Sequence, residues 1–274
     1  MSKRLDKKKS EWLTSDSVDI NDLYEWSVQC PESEVDLLYK AWGELRGRDP
    51  ESIREDFCGT SAVAREWVKR NDVNTAVGVD LDSAVLSWAR NKMDLELTAQ
   101  QRGRVKLVEH DVAKVNRVPV DCVLAMNFSY YGFKKRINLL KYFRSVCNSL
   151  VDDGLFLLDA YGGSDSFVEL SEERDLDGFT YVWDQDLVDP ISGNVLNFIH
   201  FEFPDGSRIE KAFTYDWRLW TLPEIKDVLL DAGFSRVAVY WEGSGEDGGG
   251  NGKWAICEFG EACAGWIAYI VAIK

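Results

Sequence analysis

Histidine is almost missing from this chain of 274 residues: only His110 and His200 occur, beside six cysteines and no Cys-x-x-Cys pair. No set of ligands stands at zinc spacing, so no metal site is expected. Cys30, Cys58, Cys122, Cys147, Cys257 and Cys263 are scattered along the chain and read as reduced thiols. No apolar run reaches the length of a membrane span, and the basic segment 1–9 lacks the apolar stretch of a signal peptide. A soluble cytoplasmic protein with no membrane partner is the expectation. Positive charge is also short. Against 47 Asp and Glu there are 32 Lys and Arg, a formal charge of −15, which repels polyanions and argues against a nucleic-acid partner. What is present is a hydrophobic content of 45%, enough for one large domain or one domain with an elaborated insertion.

A further shortage concerns glycine at one place. Arg54-Glu55-Asp56-Phe57-Cys58-Gly59-Thr60-Ser61 joins a short apolar lead-in, Ser52-Ile53, to a helical pattern of Ala62, Val63, Ala64, Trp67 and Val68. Gly59 lets a ligand approach the backbone, and the amides that open the helix face outward. About 20 residues on, Val77-Gly78-Val79-Asp80 is an apolar strand ending in a carboxylate, the spacing of a ribose-binding acid. A dinucleotide fingerprint needs three glycines for its pyrophosphate, whereas Phe57 and Ser61 flank the single Gly59. One close approach suits S-adenosylmethionine, which carries no phosphate. The plainer alternative is a strand–helix–strand unit with no ligand.

Glu55-x-x-Cys58-Gly59-Thr60-Ser61 resembles the first motif of the class I S-adenosylmethionine-dependent methyltransferases, acidic-x-Gly-x-Gly-x-Gly, with Phe57 and Ser61 at the outer glycine positions. The resemblance covers about 52–163 and 222–274. It implies an α/β Rossmann-like fold, a mostly parallel seven-stranded sheet whose last strand is antiparallel. It also implies that Glu55, or Asp56 in its place, helps hold the methionine amino group, with Phe57, Gly59 and Thr60 shaping the turn. Asp80 would accept the ribose hydroxyls, Asp111 the adenine amine, and Leu81 and Val112 would sandwich the adenine. Asn127-Phe128-Ser129-Tyr130 resembles the Asn-Pro-Pro-Tyr motif of amino-group methyltransferases with both prolines replaced, which makes Asn127 and Tyr130 the candidate catalytic pair and brings Asn127 against the cofactor.

In chain order, residues 1–50 read as a charged tail, to about residue 15, and a two-helix cap, the second helix starting near Pro31. Residues 51–274 read as the methyltransferase domain, interrupted at about 161–220 by an antiparallel β insertion whose turns carry Gly193-Asn194 and Pro204-Asp205-Gly206. Within the domain, 151–154 reads as a turn and the glycine-rich acidic stretch 242–265 as a loop. Tyr24, Trp26, Tyr131, Tyr161 and Trp217, with Trp183, Tyr215 and Trp220, are candidates to line a substrate site, and Asp159, Asp184 and Asp216 lie among them. Aromatic faces and carboxylates attract cations, so the expected activity is methylation of a small molecule, nitrogen preferred over oxygen. The alternative for those rings is the insertion's own small core. The alternative functions are a non-catalytic S-adenosylmethionine-binding module and a nicotinamide-dependent oxidoreductase. His200 alternates with Phe198 and Glu202 and reads as a strand-face residue rather than a general base.

Overall fold

Two units divide the chain in the computed structural model, which describes residues 13–115, 119–245 and 249–274. Most of the expected charged tail, to residue 12, lies outside the described residues, as do 246–248 of the expected glycine-rich loop. The larger unit holds Gln29–Ser166 and Arg218–Lys274, and the smaller holds the chain up to Val28 together with Phe167–Trp217. The two cap helices therefore part company: α1 (Ile20–Val28) belongs to the smaller unit and α2 (Pro31–Leu45) to the larger. Pro31 pre-sets the first turn of α2, and Glu32 and Glu34 fall where the helix dipole favours acids.

The larger unit continues with β1 (Ser52–Asp56), α3 (Ala62–Arg70), β2 (Thr75–Asp80), α4 (Ser83–Glu96), the short α5 (Ala99–Arg102), β3 (Val105–Glu109), β4 (Val120–Ala125), α6 (Arg136–Ser149) and β5 (Leu150–Gly162). The expected turn at 151–154 is instead a bulge within β5. Val120 pairs with Leu150 and Cys122 with Leu155, so the additional residues bow out without ending the strand. The smaller unit contributes β6 (Leu170–Leu176), β7 (Phe179–Val188), β8 (Asn194–Glu202) and β9 (Arg208–Arg218) in one sheet of that order. Its first strand escapes sequence patterning because Glu172, Glu173, Arg174 and Asp175 are exposed on an edge, where backbone pairing to β7 suffices.

The chain then returns through α7 (Leu222–Ala232), β10 (Arg236–Ser244), β11 (Gly250–Ile256) and β12 (Trp266–Ile273). The sheet of the larger unit runs β11-β10-β12-β5-β4-β1-β2-β3, parallel from β3 through β5, with β12 antiparallel to both β5 and β10. Seven of these strands are the expected arrangement. The eighth, β11, lies within the expected loop 242–265, which is a correction: Tyr240 pairs with Ile256 and Glu242 with Trp254, because edge pairing needs backbone rather than an apolar pattern.

Register assigns each residue to a face. Ile53 pairs with Cys122 and Glu55 with Leu124; Leu124 pairs with Leu157; Val271 and Tyr269 pair with Leu157 and Asp159. Ile53, Cys122, Leu124, Leu157 and Val271 share a buried cluster with Val35, Leu38 and Trp42 of α2 and Val63, Ala64 and Trp67 of α3. By alternation, Glu55 and Asp159 point to this α2/α3 face. Arg54, Asp56 and Phe156 point the other way, to α6, where Phe143 meets Phe156 at 5.6 Å between ring centroids.

Candidate cofactor-binding site

The sheet order reverses between β1 and β4, and in open α/β sheets ligands bind outside the carboxyl ends of strands at such a switch point. Most of the cofactor residues expected from the sequence gather at that end.

Phe57, Gly59 and Ser61 all have left-handed backbone, with φ of 57°, 47° and 61°. The three positions at which the methyltransferase motif has glycine thus keep the turn, two of them with side chains, at a cost of about 1–2 kcal/mol each. Packing holds them there. The Phe57 ring meets Tyr142 edge-on at 5.6 Å and Phe133 at 6.1 Å. The Ser61 amide donates to Cys58 O at 2.6 Å, and the Cys58 amide to Val79 O at 3.0 Å. Gly78 admits the Cys58 side chain, since a Cβ there would stand 2.9 Å from its sulfur. At Gly59 a Cβ would meet nothing within 4 Å among the described residues. The turn is therefore open on the side a ligand would approach.

Asp80 ends β2 with one carboxylate oxygen accepting from the Gly59 amide at 2.8 Å and the other from the Asp82 amide at 3.0 Å. It ties the turn to the second strand. Thr60 is buried and donates its hydroxyl to Gln29 Oε1 at 2.9 Å. Leu81 is 70% exposed and Val112 is buried. Asp111 accepts from the Ala113 amide at 2.9 Å and pairs with Lys114 at 2.9 Å, and the Lys114 ammonium holds its carboxyl below the usual range. Asp111 thus caps a turn before it does anything else.

Glu55 and Asp56 have opposite fates. Asp56 faces α6, where Arg54 Nε and Nη2 donate to its two oxygens at 2.7 and 2.9 Å, Tyr142 donates to it at 2.8 Å, and Arg54 also reaches Ser149 at 2.8 Å. Asp56 is therefore corrected from the place it shared with Glu55: it is turned away and its oxygens are taken. Glu55 faces α2 and α3 and accepts from the Ala64 amide at 2.9 Å, capping α3, whose N-cap residue Ser61 makes no side-chain cap bond.

Beyond β4, Asn127 and Phe128 both have left-handed backbone, φ 56° and 57°. Their amides donate to the two oxygens of Asp159 at 2.8 and 2.9 Å, so one buried carboxylate holds this strained loop. Burial pushes the Asp159 carboxyl up to about 7 against those hydrogen bonds. Tyr130, expected to pair with Asn127, is fully buried, and its hydroxyl donates to the Asp159 carbonyl at 2.7 Å, so it braces the loop. Tyr131, expected to line a substrate site, is fully buried with its hydroxyl donating to Trp220 O at 3.2 Å. Tyr161 stacks on Tyr131 at 5.6 Å and stays half-buried.

Tyr24, Trp26 and Trp217 belong to the smaller unit. There Trp217 meets Tyr215 at 4.4 Å and Trp183 at 6.4 Å, and Tyr24 meets Phe213 at 4.8 Å, so these rings build that unit's own core; Trp26 is 53% exposed. His200 accepts at Nδ1 from the Lys211 amide at 3.1 Å and stands 3.3 Å from Asp184, a strand-face residue with both nitrogens engaged.

One residue of this end was not singled out from the sequence. Glu34 of α2 is 5% exposed, and its Oε2 has no hydrogen-bond partner among the described residues. Its signal was available, since Leu37, Leu38 and Ala41 stand three, four and seven residues on and make the apolar stripe of α2, with Glu34 at its head. Burial, with the negative charges of Asp159 and Glu55 adding, pushes its carboxyl up to about 8, against a hydrogen bond from the Cys30 backbone.

No protein-family model and no curated protein sequence matches this chain. Solved structures do. An S-adenosylmethionine-dependent methyltransferase from Clostridium acetobutylicum superposes with a TM-score of 0.68 at 18% identity, over 92% of this chain and 96% of that one. CalS10, an amino pentose methyltransferase from Micromonospora echinaspora with S-adenosylmethionine bound, gives 0.65 at 14% identity, over 92% and 95%. The sugar N-methyltransferase KedS8 from Streptoalloteichus gives 0.63 at 16% identity, over 100% and 98%. The chain therefore has the fold of the class I S-adenosylmethionine-dependent methyltransferases.

Proposed function

We propose that the protein is an S-adenosylmethionine-dependent methyltransferase acting on a small molecule through a nitrogen nucleophile. One observation carries the cofactor reading: three left-handed residues close an open turn over β1, tied by hydrogen bond to the carboxylate that ends β2. The donor set fits the group. Asp80 has acceptor capacity left on both oxygens for a ribose diol, the space over Gly59 is clear, exposed Leu81 and buried Val112 offer apolar surface for an adenine, and Glu55 lies under the turn. When bound, the cofactor supplies a methyl group already activated on a sulfonium. What remains for the protein is to align a nucleophile, exclude water and part with one proton. In this reading Asn127, whose backbone amide Asp159 holds, orients an amine beside the cofactor.

The nitrogen preference is supported by structural neighbours, an amino pentose methyltransferase, a sugar N-methyltransferase and a glycopeptide N-methyltransferase among them, and by the net charge of −15, which concentrates cations. Titration calorimetry with S-adenosylhomocysteine checks the cofactor: binding is expected, and Asp80→Ala should weaken it by roughly 1–3 kcal/mol, the scale of a charged hydrogen-bond partner. No binding heat, or a thermal shift with NAD instead, would sink the reading. A panel of amines, phenols and carboxylates then checks the nucleophile, and turnover confined to the oxygen compounds defeats nitrogen.

A further inference from the structure

The α2/α3 face of the sheet ends in three buried carboxylates, Glu34, Glu55 and Asp159, each about 5% exposed. Two have work to do, Glu55 on the Ala64 amide and Asp159 on the Asn127 and Phe128 amides. Glu34 has an orphan oxygen, and both charges that act on it, from Asp159 and Glu55, are negative. The other titratable groups that face it are Tyr269 of β12, which pairs with Asp159 and whose phenol is pushed up by burial with Glu34 adding, and Cys30 at the start of its own helix. A buried carboxyl without a base is costly as a carboxylate, so in the empty protein it rests as the acid. The apolar stripe of α2 keeps it there instead of turning it to water. Among the described residues no positive charge is found to act on Glu34.

We propose that Glu34 is a cofactor ligand, which together with Glu55 receives the ammonium group of the methionine half and gives up its own proton to do so. The assignment rests on the cofactor reading above and adds to it a residue from outside the glycine turn. The O–H bond of the Glu34 carboxyl breaks, its electron pair stays on the carboxylate, and the proton passes to the solvent as the ammonium enters. One cation replaces one proton, so the charge of the site is unchanged. A site built this way avoids repulsion among bare carboxylates while empty. It also binds more tightly as pH rises from neutrality toward 8.

Calorimetry of the full chain with S-adenosylhomocysteine at pH 7, repeated in phosphate and in Tris, whose ionisation heats differ, counts the protons exchanged. Wild type should release about one proton per ligand, while Glu34→Gln should release none and bind about ten-fold more weakly, the scale of one charge-assisted hydrogen bond. An analogue without the α-amino group should release none from wild type, an arm that needs no variant. Thermal melting of Glu34→Gln should be no lower than wild type, because the substitution removes an orphan acid. Proton release that persists in Glu34→Gln, or that the deaminated analogue matches, overturns the assignment and leaves the cofactor reading standing. Failure of wild type to bind S-adenosylhomocysteine at all overturns both.

Discussion

Strand β1 turns a buried charge to each of its faces, and the two are managed in opposite ways. Toward α6, Arg54 and Asp56 meet through two hydrogen bonds, with Tyr142 and Ser149 completing the set. Toward α2 and α3, Glu55 lies among acids, and Glu34 has an oxygen with no partner. The paired face braces the turn whether or not a ligand is present. The unpaired face is the one with something left to bind. The contrast is one of pairing: the charges toward α6 satisfy one another, whereas toward α2 and α3 a buried carboxyl of Glu34 keeps one oxygen without a partner among the described residues.

The first of two large expected effects breaks the paired face. Arg54→Ala leaves Asp56 buried without its partner, and unfolding in urea should register a loss of about 3–5 kcal/mol. A loss under about 1 kcal/mol would mean the pair is wet in solution and the contrast between the faces is false.

The next effect sharpens the unpaired face through pH. The Glu34 carboxyl is near its usual value of 4.5 when unfolded and about 8 when folded. Between those values the unfolded chain has lost the proton and the folded chain keeps it, so stability falls as pH rises through the window. Asp159 acts in the same sense between 3.8 and about 7. In ligand-free protein, Glu34→Gln should therefore match wild type near pH 4 and exceed it by roughly 4–5 kcal/mol at pH 9. Denaturation at several pH values checks this, and parallel curves for the two proteins would show that Glu34 titrates normally.

The smallest effect tests the turn between the faces. Ser61 holds φ at 61° and its buried hydroxyl lacks a partner among the described residues, so Ser61→Gly should be neutral or up to about 1 kcal/mol stabilising. The same substitution should leave S-adenosylhomocysteine affinity within about two-fold, a change under 0.5 kcal/mol. A clear loss in melting temperature would assign Ser61 a packing role that its orphan hydroxyl does not suggest.

Much of this was legible in the chain itself. Asp80 could be matched to Gly59 by separation alone, because a strand, a turn and a helix of ordinary length fix how far along the second strand must end. The capped start of α7, Thr221 with Glu224, and Pro31 at the head of α2 announce their helices locally. β6 and β11 were not legible, since an edge strand is made by backbone pairing that a charged or glycine-rich sequence neither forbids nor advertises. The fates of Glu55 and Asp56 were not separable either: adjacent acids are equal in sequence, and only alternation along β1, read against which helix covers which face, gives one to Arg54 and turns the other to α2 and α3. Tyr130 and Tyr131 show the same limit, as an aromatic residue after a strand can point to a ligand or into the core. By itself the sequence determined the α/β alternation, the glycine turn and its acid, because these rest on local geometry and short separations. The tertiary structure decided which carboxylates are paired and which ring faces are open, because burial and charge pairing depend on groups brought together from distant parts of the chain.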